Sequence, residues 1–122
     1  MNNELGKIRK FTDLDAWKEG HLFVMMVYSI TKKFPKEEIF CLVSQMRRCA
    51  ISITSNIAEG FNRYHNKEYK QFLYISLGSC AELETQVEVA SDLRFINKVA
   101  KETLLEKLDH ESRMIRNLIK KL

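Results

Sequence analysis

Six polar residues, Gln45, Arg48, Ser52, Asn56, Glu59 and Arg63, recur at steps of three and four along one stretch of the chain. That spacing stacks them on a single face of a helix. Amides, a hydroxyl, a carboxylate and two guanidiniums in one stripe suit hydrogen bonding better than the loose Lys/Glu decoration of a solvated face, so the stripe predicts a polar network. Arg48 and Glu59 stand too far apart along the helix to pair, and their partners must come from another helix or another subunit. Counting outward from the turn at Asn62–Asn66 brings Glu82 beside Arg48, which predicts an Arg48–Glu82 pair that sets helix register. Buried pairs contribute little net stability, so specificity is its expected role. The alternative is that Gln45, Arg48, Asn56 and Arg63 line a channel or groove that touches RNA.

Other chemistry finds little support. A helical bundle can hold two metal ions on Glu-x-x-His pairs, but the histidines, His21, His65 and His110, form no such motif with Glu82, Glu84 or Glu88. No metal site and no cofactor are expected. His21, among apolar neighbours, predicts a hydrogen-bonded core histidine. Gly60 and Gly78 are isolated, so there is no glycine-rich phosphate loop. Cys41, Cys49 and Cys80 are odd in number and lack a CxxC spacing, which argues for reduced thiols and a cytoplasmic protein. No nucleophile–base constellation stands out, and the chain is expected not to be an enzyme.

Only four glycines and one proline punctuate 122 residues, too few for the turns of a many-stranded protein. The fold class expected is all-α, as one domain. The apolar run Leu22–Tyr28 is far shorter than a membrane span, and the first residues lack the apolar core of a signal peptide. Residues 1–11, with Lys7, Arg9 and Lys10, read as a flexible basic arm; residues 12–122 form the bundle domain.

The first helix should begin at Thr12 or Asp13 as a cap. Its predicted core face is Leu14, Trp17, His21, Val24, Met25 and Tyr28. Phe23, Val27, Ile30 and Phe34 form a second apolar face, more than a small chain can cover by itself. A subunit interface is expected there, with a deeply central helix as the alternative. The second helix should run from Pro35 to about Gly60 and the third, capped by Asn66, from Lys67 to Phe95. Gly78 within it costs about 1 kcal/mol relative to alanine, which predicts either close approach of a neighbouring helix or a kink. The fourth, Lys98–Leu122, is capped by Asn97; its seam is Leu104, Leu108, Ile115, Leu118 and Leu122, and its charged centre, Asp109–Arg113, should be exposed.

Four long helices with short connections pack most simply as an antiparallel up-down-up-down bundle. That topology gathers Arg63, Lys67, Lys70, Lys120 and Lys121 at one end, so a chain of net charge only +4 can carry a basic pole. These five residues are the candidate nucleic-acid contacts, through phosphates, with Tyr64 or Tyr69 as aromatic support.

Three segments, FTDLDAWKEGHLFVMMVYSITKKFPKEE, LVSQMRRCAISITSNIAEGFNR and FLYISLGSCAELETQ, resemble the bacterial four-helix-bundle proteins encoded in intervening sequences of 23S ribosomal RNA genes, also described as S23 ribosomal protein-like. The likeness extends more weakly to accessory proteins of diversity-generating retroelements. It rests most on Asn56-Ile57-Ala58-Glu59-Gly60 and on Gly78-Ser79 followed by Glu82-Leu83. The resemblance implies a left-handed bundle assembled as a homopentamer around a central channel, no established enzymatic activity, and nucleic-acid binding through basic surface. A protein-interaction scaffold that binds no nucleic acid is the competing expectation.

Overall fold

The computed structural model describes residues 8–122; residues 1–7 of the expected basic arm lie outside them. A 3₁₀ turn at Phe11–Asp13 leads into α1 (Asp15–Thr31). A second short turn, Lys36–Glu38, precedes α2 (Leu42–Phe61), followed by α3 (Asn66–Asp92) and α4 (Lys98–Lys120). Neighbouring helices pack in the order α1–α2–α3–α4, with α4 returning to α1. The result is the expected antiparallel four-helix bundle, in which α1 and α3 occupy diagonal corners.

The most extensive packing is between α2 and α3. Met46, Ile53 and Ile57 of α2 meet Leu73, Leu83 and Val87 of α3, all essentially fully buried. Each such side chain removed from water stabilises the fold by roughly 1.5–3 kcal/mol. Gly60 sets the approach at one end: a Cβ there would stand 2.9 Å from the Tyr69 ring and 3.0 Å from the Tyr69 carbonyl oxygen. Gly78 behaves differently from expectation. A Cβ built on it meets nothing within 4 Å, and the residue is exposed.

Several helix ends depart from the sequence reading. Asp13 does not cap α1; its Oδ2 accepts from the amides of Arg9 (3.0 Å) and Lys10 (3.1 Å). Those two amides hold its carboxyl below the usual range. Helix α2 begins seven residues after Pro35, because Pro35 is extended (ψ 144°) while Phe34 is buried against Phe95. Asn66 does not cap α3 either; its amide donates to the Leu122 carbonyl at 3.4 Å. Asn97 does cap α4, accepting from the Ala100 amide at 2.8 Å. Helix α3 stops at Asp92 rather than Phe95, since Arg94 turns left-handed (φ 65°). The Phe95 amide then reaches Ala90 O and the Arg94 amide reaches Ser91 O, the paired bonds of a Schellman closure.

The core face of α1 is only in part the one expected. Leu14 and Val24 are buried as expected, and Ala16, Gly20, Phe23, Val27 and Thr31 also point inward, whereas His21 and Met25 are exposed and Trp17 half-buried; Phe23, Val27 and Phe34, expected at a subunit interface, lie in the chain's own core. The inward stripe was hidden because its repeats at 16, 20 and 31 are small or polar. Opposite it on α4, Glu111 occupies the buried seam with Leu104, Leu108 and Ile115. Its steps of four and three put it in line with them, so the centre of α4 is not exposed all round. Glu111 is 1% exposed, and neither carboxyl oxygen has a hydrogen-bond partner among the described residues. Gly20 makes room for it: a Cβ there would lie 2.8 Å from Glu111 Oε2.

Burial, aided by the charge of Glu19, pushes the Glu111 carboxyl up to about 8. A folded-state value above the unfolded one gives stability that is complete below the ordinary carboxylate range and declines as pH rises toward 8. Chemical denaturation of the wild type should therefore show stability falling between roughly pH 5 and pH 8, by up to about tenfold in the folding equilibrium per pH unit. Glu111→Gln should flatten that decline. Gly60→Ala, by contrast, should lower stability by about 1–3 kcal/mol at any pH, because ring and backbone both crowd the new methyl.

Candidate functional site

The amide of Asn66 bonded to the Leu122 carbonyl joins the α2–α3 turn to the end of α4. Lys121 lines a crevice with Ile8, Leu14, Asp15 and Ala16, so the start of α1 lies at the same pole. The bundle thus brings Arg63, Lys67, Lys70, Lys120 and Lys121 to one end. Lys67, Lys120 and Lys121 are exposed, and Lys70 is half-buried. Arg63 is already engaged: Nη2 donates to Glu59 Oε2 at 2.9 Å, and the guanidinium lies 4.7 Å from the centre of the Phe72 ring. Tyr64 is 92% exposed, edge-on to His65. Tyr69 is not available as aromatic support, because it is packed against Gly60 and Phe61 in the core. Burial raises its hydroxyl to about 12.

The polar stripe of α2 divides into three parts. At its centre, Ser52 Oγ and Ser79 Oγ are 2.8 Å apart, and the Asn56 amide donates to Ser52 O at 2.8 Å and to Ser52 Oγ at 3.1 Å. Cys49 Sγ donates to Ser79 O at 3.1 Å, and buried Ser76 donates to Ile53 O at 2.7 Å. Small hydroxyls of α3 thus bond across to α2, where larger ones would hold the helices apart. Near Gly60, Glu59 pairs with Arg63. At the other end Gln45, Arg48, Glu82 and Gln86 line a polar groove of about 600 Å³, together with Phe40, Ser44, Cys49 and Ser52.

The expected Arg48–Glu82 pair does not form. Among the described residues the ion pairs are Arg63–Glu59, Lys101–Glu88 and Arg113–Asp109. Arg48 and Glu82 share the groove as exposed side chains, where water competes for both. The arginine that ties helices together is its neighbour Arg47. Its Nε donates to Thr31 Oγ1 at 2.9 Å and its Nη2 to the Tyr28 carbonyl at 3.3 Å, with the guanidinium 4.5 Å from the Tyr28 ring centre. Thr31 in turn donates to Val27 O at 2.7 Å. Arg47 thereby adds a charged donor from α2 to the Tyr28 carbonyl, which also accepts from the Lys32 amide at 3.2 Å and from Thr31 Oγ1 at 3.3 Å.

The remaining reactive groups are quiet or outward. Burial, with the charge of Glu82 beside it, raises the Cys49 thiol to about 12; burial alone dominates at Cys80, raised to about 11. Both are neutral thiols at physiological pH and poor nucleophiles. Cys41 is exposed. His21 is no core histidine; it stacks on Trp17 at the surface, ring centres 4.9 Å apart. Among the described residues no group of three or more His, Cys, Asp and Glu is placed to hold a metal ion. No helix of the described residues is long and apolar enough to cross a membrane.

These features define a small antiparallel four-helix bundle with polar side chains bonded across α2 and α3 at its centre and with Arg63, Lys67, Lys70, Lys120 and Lys121 at one end. The profile of the family described as 23S rRNA-intervening sequence protein matches residues 12–117, and the chain belongs to that family. Its fold is similar to the crystal structure of a protein of unknown function from the S23 ribosomal protein family of Bacteroides thetaiotaomicron. The two share 20% identity over 86% of this chain and 95% of the other, with a TM-score of 0.80. No curated protein matches the chain.

The division between the two arginines is testable by urea denaturation. Arg47→Ala should cost about 1–2 kcal/mol, because it leaves the Tyr28 carbonyl and Thr31 without their charged donor. Arg48→Ala should change stability by less than about 0.5 kcal/mol, as expected for an exposed side chain without a partner.

Proposed function

We propose that this chain is a non-enzymatic cytoplasmic protein that assembles as a homo-oligomer, a homopentamer as the family resemblance implies, and binds RNA or DNA through its basic pole. The observation that carries the reading is the convergence of Lys67, Lys70, Lys120 and Lys121 with exposed Tyr64 at one end of the bundle. Lysines on separate helix ends suit phosphates, which are point-like and carry no sequence information. Tyr64 offers a free aromatic face for an unpaired base, a contact worth about 1–3 kcal/mol in single-strand binders. Arg63, held by Glu59 and Phe72, contributes less charge than its lysine neighbours and serves as a fixed edge of the surface. Repetition of the pole around a symmetric assembly multiplies weak contacts through effective concentration. The family's name supports a link to ribosomal RNA genes and leaves open which nucleic acid is bound.

Fluorescence anisotropy of labelled structured RNA, and of single- and double-stranded DNA, checks this across a salt series. Binding should weaken with a definite log–log slope. Replacing Lys67, Lys70, Lys120 and Lys121 by alanine should lower affinity by at least about tenfold and flatten the slope by roughly 0.7–0.9 for each phosphate no longer neutralised. Absence of binding at low salt, or an unchanged slope in the variant, overturns the proposal in favour of a protein-interaction scaffold.

A further inference from the structure

A groove of about 500 Å³ runs between α1 and α4, with Leu22, Met25 and Met26 among its apolar walls. Its titratable lining is Glu19 of α1 and Lys107, His110 and Glu111 of α4. Lys107 and His110 are exposed, Glu19 is half-buried, and Glu111 forms the buried side of the groove. None of the four takes part in an ion pair among the described residues.

The Glu111 carboxyl weakens the fold where it stands. The seam it interrupts, Leu104, Leu108 and Ile115, is otherwise apolar, and both of its oxygens lack a hydrogen-bond partner among the described residues. A buried polar group without a partner is destabilising, and each such group asks for an explanation. Gly20 of α1 vacates the space the carboxyl fills, yet no donor of the described chain meets it there. A donor from outside, reaching in along the groove, completes the arrangement. The lining decides its chemistry. Two carboxyls against one lysine disfavour an anion. The apolar walls disfavour a hydrated metal ion, for which no group of three ligands is placed among the described residues. A primary ammonium on an apolar stem matches both parts, with three donors for the carboxyl oxygens and hydrocarbon for the walls. Met25 and Met26 are unbranched and adaptable, so they can shift to admit it.

We propose that the groove between α1 and α4 binds a small aliphatic ammonium ion, with Glu111 as its counter-ion and Glu19 adding to the negative field. The site is separate from the basic pole, so the two readings stand or fall independently. Burial and the charge of Glu19 keep the Glu111 carboxyl protonated up to about 8. The arriving cation therefore displaces that proton: carboxylic acid and ammonium become a carboxylate–ammonium pair, and one proton leaves to solvent. From the other helices the carboxyl is faced by Thr54 of α2, packed at Gly20, which carries no charge, and by Cys80 of α3, whose thiol burial raises to about 11 and keeps neutral.

Isothermal titration calorimetry of the full chain with hexylammonium chloride, and with 1-hexanol as its uncharged analogue, tests this between pH 6 and pH 9. Hexylammonium should bind at least about tenfold more tightly than 1-hexanol at pH 8, and its affinity should rise by close to tenfold per pH unit from pH 6 before levelling near pH 8. Titrations at pH 6.5 in buffers of different ionisation heat should show about one proton released per ligand bound. Glu111→Gln should remove the pH dependence and the proton release, and lower hexylammonium affinity to that of 1-hexanol; this also separates Glu111 from the neighbouring His110. No saturable binding of hexylammonium, affinity equal to that of 1-hexanol, or binding that Glu111→Gln leaves unchanged overturns the proposal. Where Glu111→Gln does not fold, the wild-type proton count decides, and binding without proton release overturns it equally.

Discussion

Everything in this bundle depends on how closely α2 and α3 can approach. Gly60 at one end and Ser76 and Ser79 further along remove side-chain bulk from that interface. The hydroxyls do more than leave room. Ser76 bonds to the Ile53 carbonyl, and Ser79 bonds to Ser52 while its own carbonyl accepts from Cys49. An apolar interface between two helices tolerates sliding by a turn, since one leucine ridge resembles the next. A hydroxyl aimed at one carbonyl does not, because a shifted register leaves buried polar groups unpaired. Hydrophobic burial gives this interface its strength, and the serines give it a single register.

The α1 side is held differently. Its C-terminal end is fastened by Arg47, which bridges from α2 to Tyr28 and Thr31. Its middle faces Glu111, whose carboxyl fills the space left by Gly20. A buried carboxyl without partners is costly when charged, so the proton stays on it to higher pH than usual. The serines of the α2–α3 half are paired, with Gln86 Oε1 left buried and unpaired among the described residues, while the α1–α4 half contains one carboxyl whose charge state governs its contribution. That difference agrees with the packing, which is extensive between α2 and α3 and sparse between α1 and α4.

The sequence made the bundle legible because long helices with few punctuators leave little topological choice, and because the large apolar residues of α2 and α3 repeat clearly. It was misleading where small or polar residues stand at core positions. Ala16, Gly20 and Thr31 share the buried stripe of α1 with Phe23, Val24 and Val27, yet Trp17, His21 and Met25 look more like a core. Glu111 has the spacing of a seam residue and the chemistry of a surface one, and only the glycine opposite reconciles the two. The left-handed stop at Arg94 also has no signature in residue type, since glycine is the usual occupant of that conformation. Of the polar stripe, Ser52, Asn56 and Glu59 are joined into networks, and Gln45, Arg48 and Glu82 share a groove. Placing the cross-helix arginine required knowing which face of α2 looks toward α1, a distinction of one residue between Arg47 and Arg48.

The same geometry links the centre of the bundle to its ends and outer faces. Rigid register between α2 and α3 fixes where their connecting turn projects, and with it Tyr64 and Lys67 relative to the C-terminus of α4. A pole built on loosely packed helices would spread its cations over many arrangements and lose ordering entropy each time phosphate bound. Here the α2–α3 turn is held by Gly60 packed on Tyr69, by Arg63 folded onto Phe72, and by Asn66 joined to the last residue. The outer face of α3 inherits that rigidity, because its inner face is the one locked by serines.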